Sequence, residues 1–167
     1  MKQLILGGAR SGKSKTAEER AKATGKNLIY IATGQAGDSE MSARIREHKR
    51  RRGKEWTLVE EPLNLAQTLT EYCGDHSAVV VDCLTLWVAN CLNQGCMEEQ
   101  KENLLKALPL LGGDILFVSN EVGSGIVPLG ELSREFVDQS GWLHQRLGEA
   151  CEKVSLIIAG LPLELKQ

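Results

Sequence analysis

The stretch Gly7-Gly8-Ala9-Arg10-Ser11-Gly12-Lys13-Ser14 constrains this chain more than any other. It fits G-x-x-x-x-G-K-[ST] at every fixed position. An apolar run, Leu4 to Leu6, precedes it, and a helix-forming segment, Ser14 to Thr24, follows and closes at Gly25. In that context glycines let backbone N–H groups turn inward around a polyphosphate, and the helix N-terminus adds partial positive charge. Lys13 is placed to reach the β- and γ-phosphates and the Ser14 hydroxyl to ligate Mg²⁺. A plain glycine-rich strand–helix turn is the competing explanation. The agreement of all eight positions with their context argues against it.

The rest of the chain alternates short apolar runs with helical patterns. Leu28 to Ala32 and Val79-Val80-Val81-Asp82 have the unbroken apolar character of strands covered on both faces. Trp56 to Glu60, Ile115 to Ser119 and a last strand, Leu156 to Ala159, complete the set. Helices are expected from Glu40 to about Arg52 (capped by Asp38 or Ser39 and stopped by Gly53), from Pro62 through Leu65, Leu69 and Tyr72, over Leu84 to Leu92, and over Met97 to Leu108. The stripe Leu143, Leu147, Ala150, Cys151 and Val154 marks a late helix. This alternation predicts an α/β fold, a P-loop NTPase-like, mostly parallel sheet with helices on both faces. Neither a repeat nor a linker interrupts it. The 167 residues, 42% hydrophobic and 25% charged, fit one nucleotide-binding domain spanning 1–167.

Charge and composition exclude several classes. Twenty Lys+Arg against 22 Asp+Glu leave a net charge of −2, so the chain is not a generally basic nucleic-acid binder. Three Trp, two Tyr and two Phe are few for base stacking. No apolar run approaches the roughly 18 residues of a membrane span, and the N-terminal apolar stretch is too short for a signal peptide. The five cysteines (Cys73, Cys83, Cys91, Cys96 and Cys151) include no C-x-x-C pair. They read as reduced thiols of a cytoplasmic protein rather than a disulfide framework or zinc site.

Three further features invite chemistry. Asp82 ends an apolar strand, where it can hold a Mg²⁺-bound water or cap the following helix. No N-K-x-D guanine-reading motif accompanies it. Lys49, Arg50, Arg51, Arg52 and Lys54 form a basic cluster: a solvated face, a nucleic-acid patch or a nucleotide-phosphate lid. Met41, Arg44, Ile45, His48, Arg51 and Arg52 share one helical face, which sets His48 among cations that favour its neutral, nucleophilic form. Spacing alone leaves a structural or solvated His48 open. Finally, the glycine-rich loop from Asn120 to Gly130 follows a strand, where open α/β sheets bind ligands. His76 and His144 receive no role from spacing.

Together these stretches resemble the bifunctional adenosylcobinamide kinase/adenosylcobinamide-phosphate guanylyltransferase family. The resemblance rests on Gly7 to Ser14, Tyr30-Ile31-Ala32-Thr33, Asp38, Glu40-Met41, Arg44-Ile45 and His48-Lys49. It continues through Trp56, Glu60, Pro62, Asp82-Cys83-Leu84-Thr85 and Asn120 to Pro128, and ends near Phe136, Asp138, Gly141 and Gln145. It implies that His48 attacks the α-phosphate of GTP and carries GMP as a phosphoramidate. It maps GTP contacts onto Gly8, Ala9, Arg10, Ser11, Gly12, Lys13 and Ser14, onto Thr33, Gly34 and Gln35, onto Lys49, Arg50, Arg51 and Arg52, and onto Glu60 and Asp82. It also implies a homotrimer. Two departures stand out: His144 where the resemblance would place Asn before Gln145, and the strongly basic run Arg50-Arg51-Arg52-Gly53.

The expectation is therefore a cobalamin-biosynthesis enzyme with two activities. It would pass a γ-phosphoryl from ATP or GTP to adenosylcobinamide, with Mg²⁺ at Ser14 and Asp82. It would then transfer GMP to adenosylcobinamide phosphate. A small-metabolite P-loop kinase without nucleotidyl transfer is the nearest alternative. A nucleotide-dependent switch or binding protein is the alternative from another class.

Overall fold

The computed structural model describes residues 1–34, 53 and 55–167. The expected helix from Glu40 to Arg52, with His48, Lys49, Arg50, Arg51 and Arg52, lies outside the described residues, as do Gln35 and Lys54. The chain order is β1 (Lys2–Gly7), α1 (Lys13–Ala23), β2 (Asn27–Ala32), β3 (Trp56–Glu60), α2 (Leu65–Tyr72), β4 (Ser77–Asp82), α3 (Leu84–Asn93) and α4 (Met97–Ala107). A 3-10 turn (Leu108–Leu110), β5 (Asp114–Asn120), α5 (Glu131–Ala150), β6 (Lys153–Ile158) and β7 (Leu161–Lys166) follow.

The seven strands form one sheet in the order β3-β2-β4-β5-β1-β6-β7. All neighbours are parallel except β6 and β7. β4 is buried from Ser77 to Val81, as an uninterrupted apolar run between two covered faces must be. Two apolar layers result. Ala17 and Ala21 of α1 pack with Ile5, Ala78, Val80, Leu116 and Val118 on one face. The other face carries the larger core, where α2, α3, α4 and α5 deliver Leu65, Leu69, Trp87, Leu104, Leu143 and Leu147 onto Leu4, Ile31, Val81 and Phe117. Among the described residues no helix is long and apolar enough to cross a membrane.

The crossover from β1 through α1 leads to one side of the sheet, and that from β5 through α5 to the other. β1 and β5 are neighbours, so their C-terminal ends flank the crevice in which open α/β sheets place ligands.

Several element bounds differ from the sequence expectations for local reasons. The helix expected from Pro62 starts at Leu65, because the Glu61 carboxylate accepts the Leu63 and Asn64 amides (2.8 and 2.7 Å) and shapes a turn first. α5 starts at Glu131, well before the apolar stripe, since Glu131 to Glu135 are all exposed and carry no burial period, and it ends at Ala150, so that Val154 of the expected stripe lies on β6. The Leu156–Ala159 strand is β6 over Lys153–Ile158 and is not the last. β7 turns back at Gly160 (φ +80°) and pairs antiparallel with β6. Arg20 anchors it, donating to Glu164 (2.5 Å) and to Ser155 Oγ (2.8 Å).

Trp87 ties the larger core to the chain entering α2. It is fully buried, and its indole N–H donates to Leu63 O at 2.8 Å. Trp87→Ala should lower unfolding free energy by about 3–5 kcal/mol. Trp87→Phe keeps most of the volume but strands that carbonyl, and should cost about 1–3 kcal/mol. Urea titration of the three proteins checks both values.

Candidate active site

β1 delivers the chain to the loop at Gly7, and α1 begins at Lys13, so the loop is held at both ends by buried elements. Two glycines are required by geometry. A Cβ on Gly7 would lie 2.5 Å from Ser11 Oγ and 2.7 Å from Ile157 O. Gly12 has φ +101° and sits against Gly160 Cα, 3.3 Å from where a Cβ would be. Ser11 N donates to Gly8 O (3.3 Å) and Gly160 N to Ser11 O (2.9 Å), which folds the loop over the end of β6.

The loop leaves its anion-seeking groups uncommitted to side chains. No side chain caps α1, and its first turn has no acidic residue. Ser11 Oγ is buried without a hydrogen-bond partner. Lys13 is buried and directs its ammonium to Gly8 O at 2.8 Å. Burial lowers its pKa, while the nearby Asp82, and less so Cys83, acts in the opposite sense. A buried ammonium, an orphan hydroxyl and an uncapped helix N-terminus suit a polyphosphate. Gly8, Ala9 and Arg10 are exposed at the crest, and Ser14 lies half-buried in the first turn of α1.

Asp82 stands at the end of β4, with β5 between it and the phosphate loop. Two strand spacings put it about 10 Å across the sheet from β1. Tyr30 donates its hydroxyl to Asp82 Oδ2 at 2.5 Å, and its ring stands edge-on to Trp56 at 5.9 Å. Thr33, also buried, clamps β2 to β4: its hydroxyl donates to Cys83 O (2.6 Å) and accepts from Cys83 N (2.9 Å). Its hydroxyl is thereby committed to the scaffold. Cys83 itself is half-buried, and desolvation pushes its thiol up to about 11 with help from Asp82. Gly34 is half-buried just beyond Thr33. Glu60 lies at the end of edge strand β3, four strands and about 19 Å from β1. The described residues among those proposed from sequence thus share the C-terminal edge of the sheet, but they span most of its width.

The glycine-rich loop is rooted beside the phosphate loop. Asn120 is in register with Gly7, and Glu121 N donates to Gly7 O at 3.1 Å. The Glu121 carboxylate accepts Gly123 N at 2.7 Å. Burial raises its pKa, but hydrogen bonds from Ser124 and Gly123 and the nearby His144 outweigh this and lower it. At the far end Arg134 donates to Pro128 O and Leu129 O. Between these ties Ile126 and Leu129 are 98% and 97% exposed, an apolar crest at the mouth of the crevice. His144, which helical spacing left without a role, comes from α5 to this root, its Nε2 2.8 Å from Ser119 Oγ. No sequence signal reveals this pair, because the two residues lie on different elements 25 positions apart.

Lys13→Met tests the site directly. Turnover should fall by about 10²–10³-fold, as for loss of a donor that meets developing charge. Resistance to urea at neutral pH should rise, because a buried ammonium is replaced by an apolar chain of similar length. Parallel kinetics and denaturation separate the two effects.

Similarities to known proteins agree with this geometry. A family model described as cobinamide kinase / cobinamide phosphate guanyltransferase matches residues 3–165. The chain is 52% identical over 169 residues to the bifunctional adenosylcobalamin biosynthesis protein CobP of Pseudomonas aeruginosa, covering 99% of this chain and 98% of that one. It is 33% identical over 179 residues to CobU of Salmonella typhimurium, covering 98% of each. In fold it is similar to the RadB recombinase, with a TM-score of 0.54 at 16% identity over 93% of this chain and 73% of that one. The chain belongs to the cobinamide kinase / cobinamide phosphate guanyltransferase family.

Proposed function

We propose that this chain catalyses both reactions of its family within a single domain over residues 1–167: phosphorylation of adenosylcobinamide and guanylylation of adenosylcobinamide phosphate. The observation that carries the reading is the convergence of the phosphate loop, Asp82 and the Asn120–Gly130 loop on one edge of the sheet. In the first reaction ATP or GTP lies with its phosphates along Gly8 to Ser14. Lys13 neutralises charge on the γ-phosphoryl as the cobinamide hydroxyl attacks and the nucleoside diphosphate leaves. Ser14 and Asp82 are the residues that would hold Mg²⁺, which would neutralise charge on the phosphate oxygens. Tyr30, bonded to Asp82, fixes that carboxylate's orientation.

In the second reaction neutral His48 attacks the α-phosphate of GTP, and pyrophosphate leaves. Lys49, Arg50, Arg51 and Arg52 would stabilise charge on the phosphates and the leaving pyrophosphate, and Thr33, Gly34, Gln35 and Glu60 would contact the same nucleotide. An oxygen of adenosylcobinamide phosphate then attacks the phosphoramidate, His48 leaves, and adenosylcobinamide-GDP results. Covalent catalysis divides one hard displacement into two easier ones. Support for His48 comes from the sequence and the family match, since that segment lies outside the described residues.

The reading extends to assembly and location. The exposed apolar crest Ile126, Val127, Leu129 and Leu132 supports association, as such patches do on homo-oligomers, and we assign a homotrimer. Five free thiols support a cytoplasmic enzyme.

Labelled GTP tests the chemistry. After incubation and denaturation, the α label should stay on the protein, labile to acid and stable to base, while the γ label should not. Absence of α label, or its persistence in His48→Ala, overturns the guanylyl-histidine and leaves a simple kinase. GTP turnover indifferent to cobinamide, with tight salt-sensitive oligonucleotide binding, would favour a switch or binding protein instead. Sedimentation equilibrium should return three times the chain mass of 18.3 kDa.

A further inference from the structure

His144 ends a chain of hydroxyls at the root of the Asn120–Gly130 loop. Asn120 N donates to Thr85 Oγ1 at 2.7 Å. Thr85 Oγ1 and Ser119 Oγ are 3.3 Å apart, and Ser119 Oγ is 2.8 Å from His144 Nε2. Each hydroxyl has one proton to give, so the chain must run in one direction. Run forward, Thr85 donates to Ser119 and Ser119 donates to the imidazole lone pair, a strong acceptor. Run backward, Nε2–H donates to Ser119, Ser119 donates to Thr85, and the Thr85 proton is left to the Cys83 sulfur, a weak acceptor. The forward direction wins, and it requires the neutral tautomer with the proton on Nδ1. Ser119 is 1% exposed, which excludes a nucleophilic role for it.

We propose that His144 is a positioning residue for phosphoryl transfer to cobinamide: as terminal acceptor of the Thr85–Ser119 relay, it holds the root of the Asn120–Gly130 loop against the phosphate loop. The relay fixes Asn120, the neighbour of Gly7 in the sheet, and the next residue, Glu121, bonds Gly7 O. The relay thus adds a side-chain tie to the backbone pairing of β1 with β5 where the two loops leave the sheet. This inference rests on the kinase reading above.

Protonation of His144 would reverse the relay. Burial lowers the pKa of the ring from 6.5, and the Glu121 charge acts against burial. Other charges near it are few among the described residues. α3 carries no Asp, Glu, Lys, Arg or His, and β1 has only Lys2, at its far end. β5 has Asp114 at its far end, paired with Lys26 and the N-terminus. On α4, Lys101 pairs with Glu98 and both bond Gln139. On α5 itself Arg146 and Glu149 are exposed, as are Asp138 and Glu135. A depressed histidine pKa favours the neutral native form, so relay and rate persist above that pKa and fail as pH falls through it.

The test compares wild type, His144→Ala and His144→Gln, whose amide can accept from Ser119 and does not titrate. Amide hydrogen exchange at Asn120 is followed without ligand, and cobinamide phosphorylation across pH with ligand. In His144→Ala, Asn120 should exchange about tenfold faster, and kcat/KM for cobinamide should fall about tenfold, as for one lost buried hydrogen bond. KM for the nucleotide should stay within about twofold. His144→Gln should restore both at pH 7.5 and abolish the wild-type fall in rate on the acid side. Unchanged Asn120 exchange in His144→Ala, or an acid limb retained in His144→Gln, overturns the proposal. A wild type that moves no phosphoryl to cobinamide overturns the kinase reading instead, and the exchange measurement still decides the relay.

Discussion

Gly7 is where backbone alone fits. The position of its missing Cβ is taken by Ser11 Oγ on one side and by Ile157 O on the other. Its carbonyl receives the Glu121 amide, and it pairs in register with Asn120 of β5 and Ile157 of β6. Three adjacent strands therefore meet at one residue, and two glycine-rich loops leave from it or from its neighbour. Any side chain there would push the loop off β6 and break the register with β5. The phosphate loop, the Asn120–Gly130 loop and the His144 relay all depend on this close approach.

Electrostatics follows from that crowding. Lys13 is carried into a buried position by the start of α1, where an ammonium is uncomfortable without anions. Asp82, two strands away, offers the opposite charge, and Tyr30 and the Thr33 clamp keep the strand end that bears it in place. The near-neutral total of the chain conceals this separation. In the sequence, positive charge gathers at Lys49 to Lys54, and among the described residues Lys13 opens α1 while Asp82 ends β4.

The sequence read well where a single element carries the signal. The glycine-lysine-serine loop lies between a strand and a helix as its pattern requires, and the Val79–Val81 run is a strand covered on both faces. Trp56 to Glu60 is a strand, parallel to β2 at the edge. Two features escaped. β7 alternates Leu161, Leu163 and Leu165 with polar or proline positions, a period-2 pattern that carries little signal because both of its faces are mostly exposed. His144 could not be placed because helical spacing orders residues along α5 and says nothing of the strand opposite. Thr33 shows a subtler gap: family likeness marks it as a nucleotide contact, while its hydroxyl spends both of its bonds on Cys83.

What α1 itself sets against the sheet is small. Ala17 and Ala21 meet Ala78 and the valines of β4 and β5 with no solvent between them. The thickness of that layer sets how high the first turn of α1 rides above the sheet. It therefore also sets the gap between Ser14, which rides with the helix, and Asp82, which does not. A cation shared by those two residues would be gauged by alanine methyl groups three and seven residues along the helix from Ser14. The bite of the site would thus be fixed by packing at a distance.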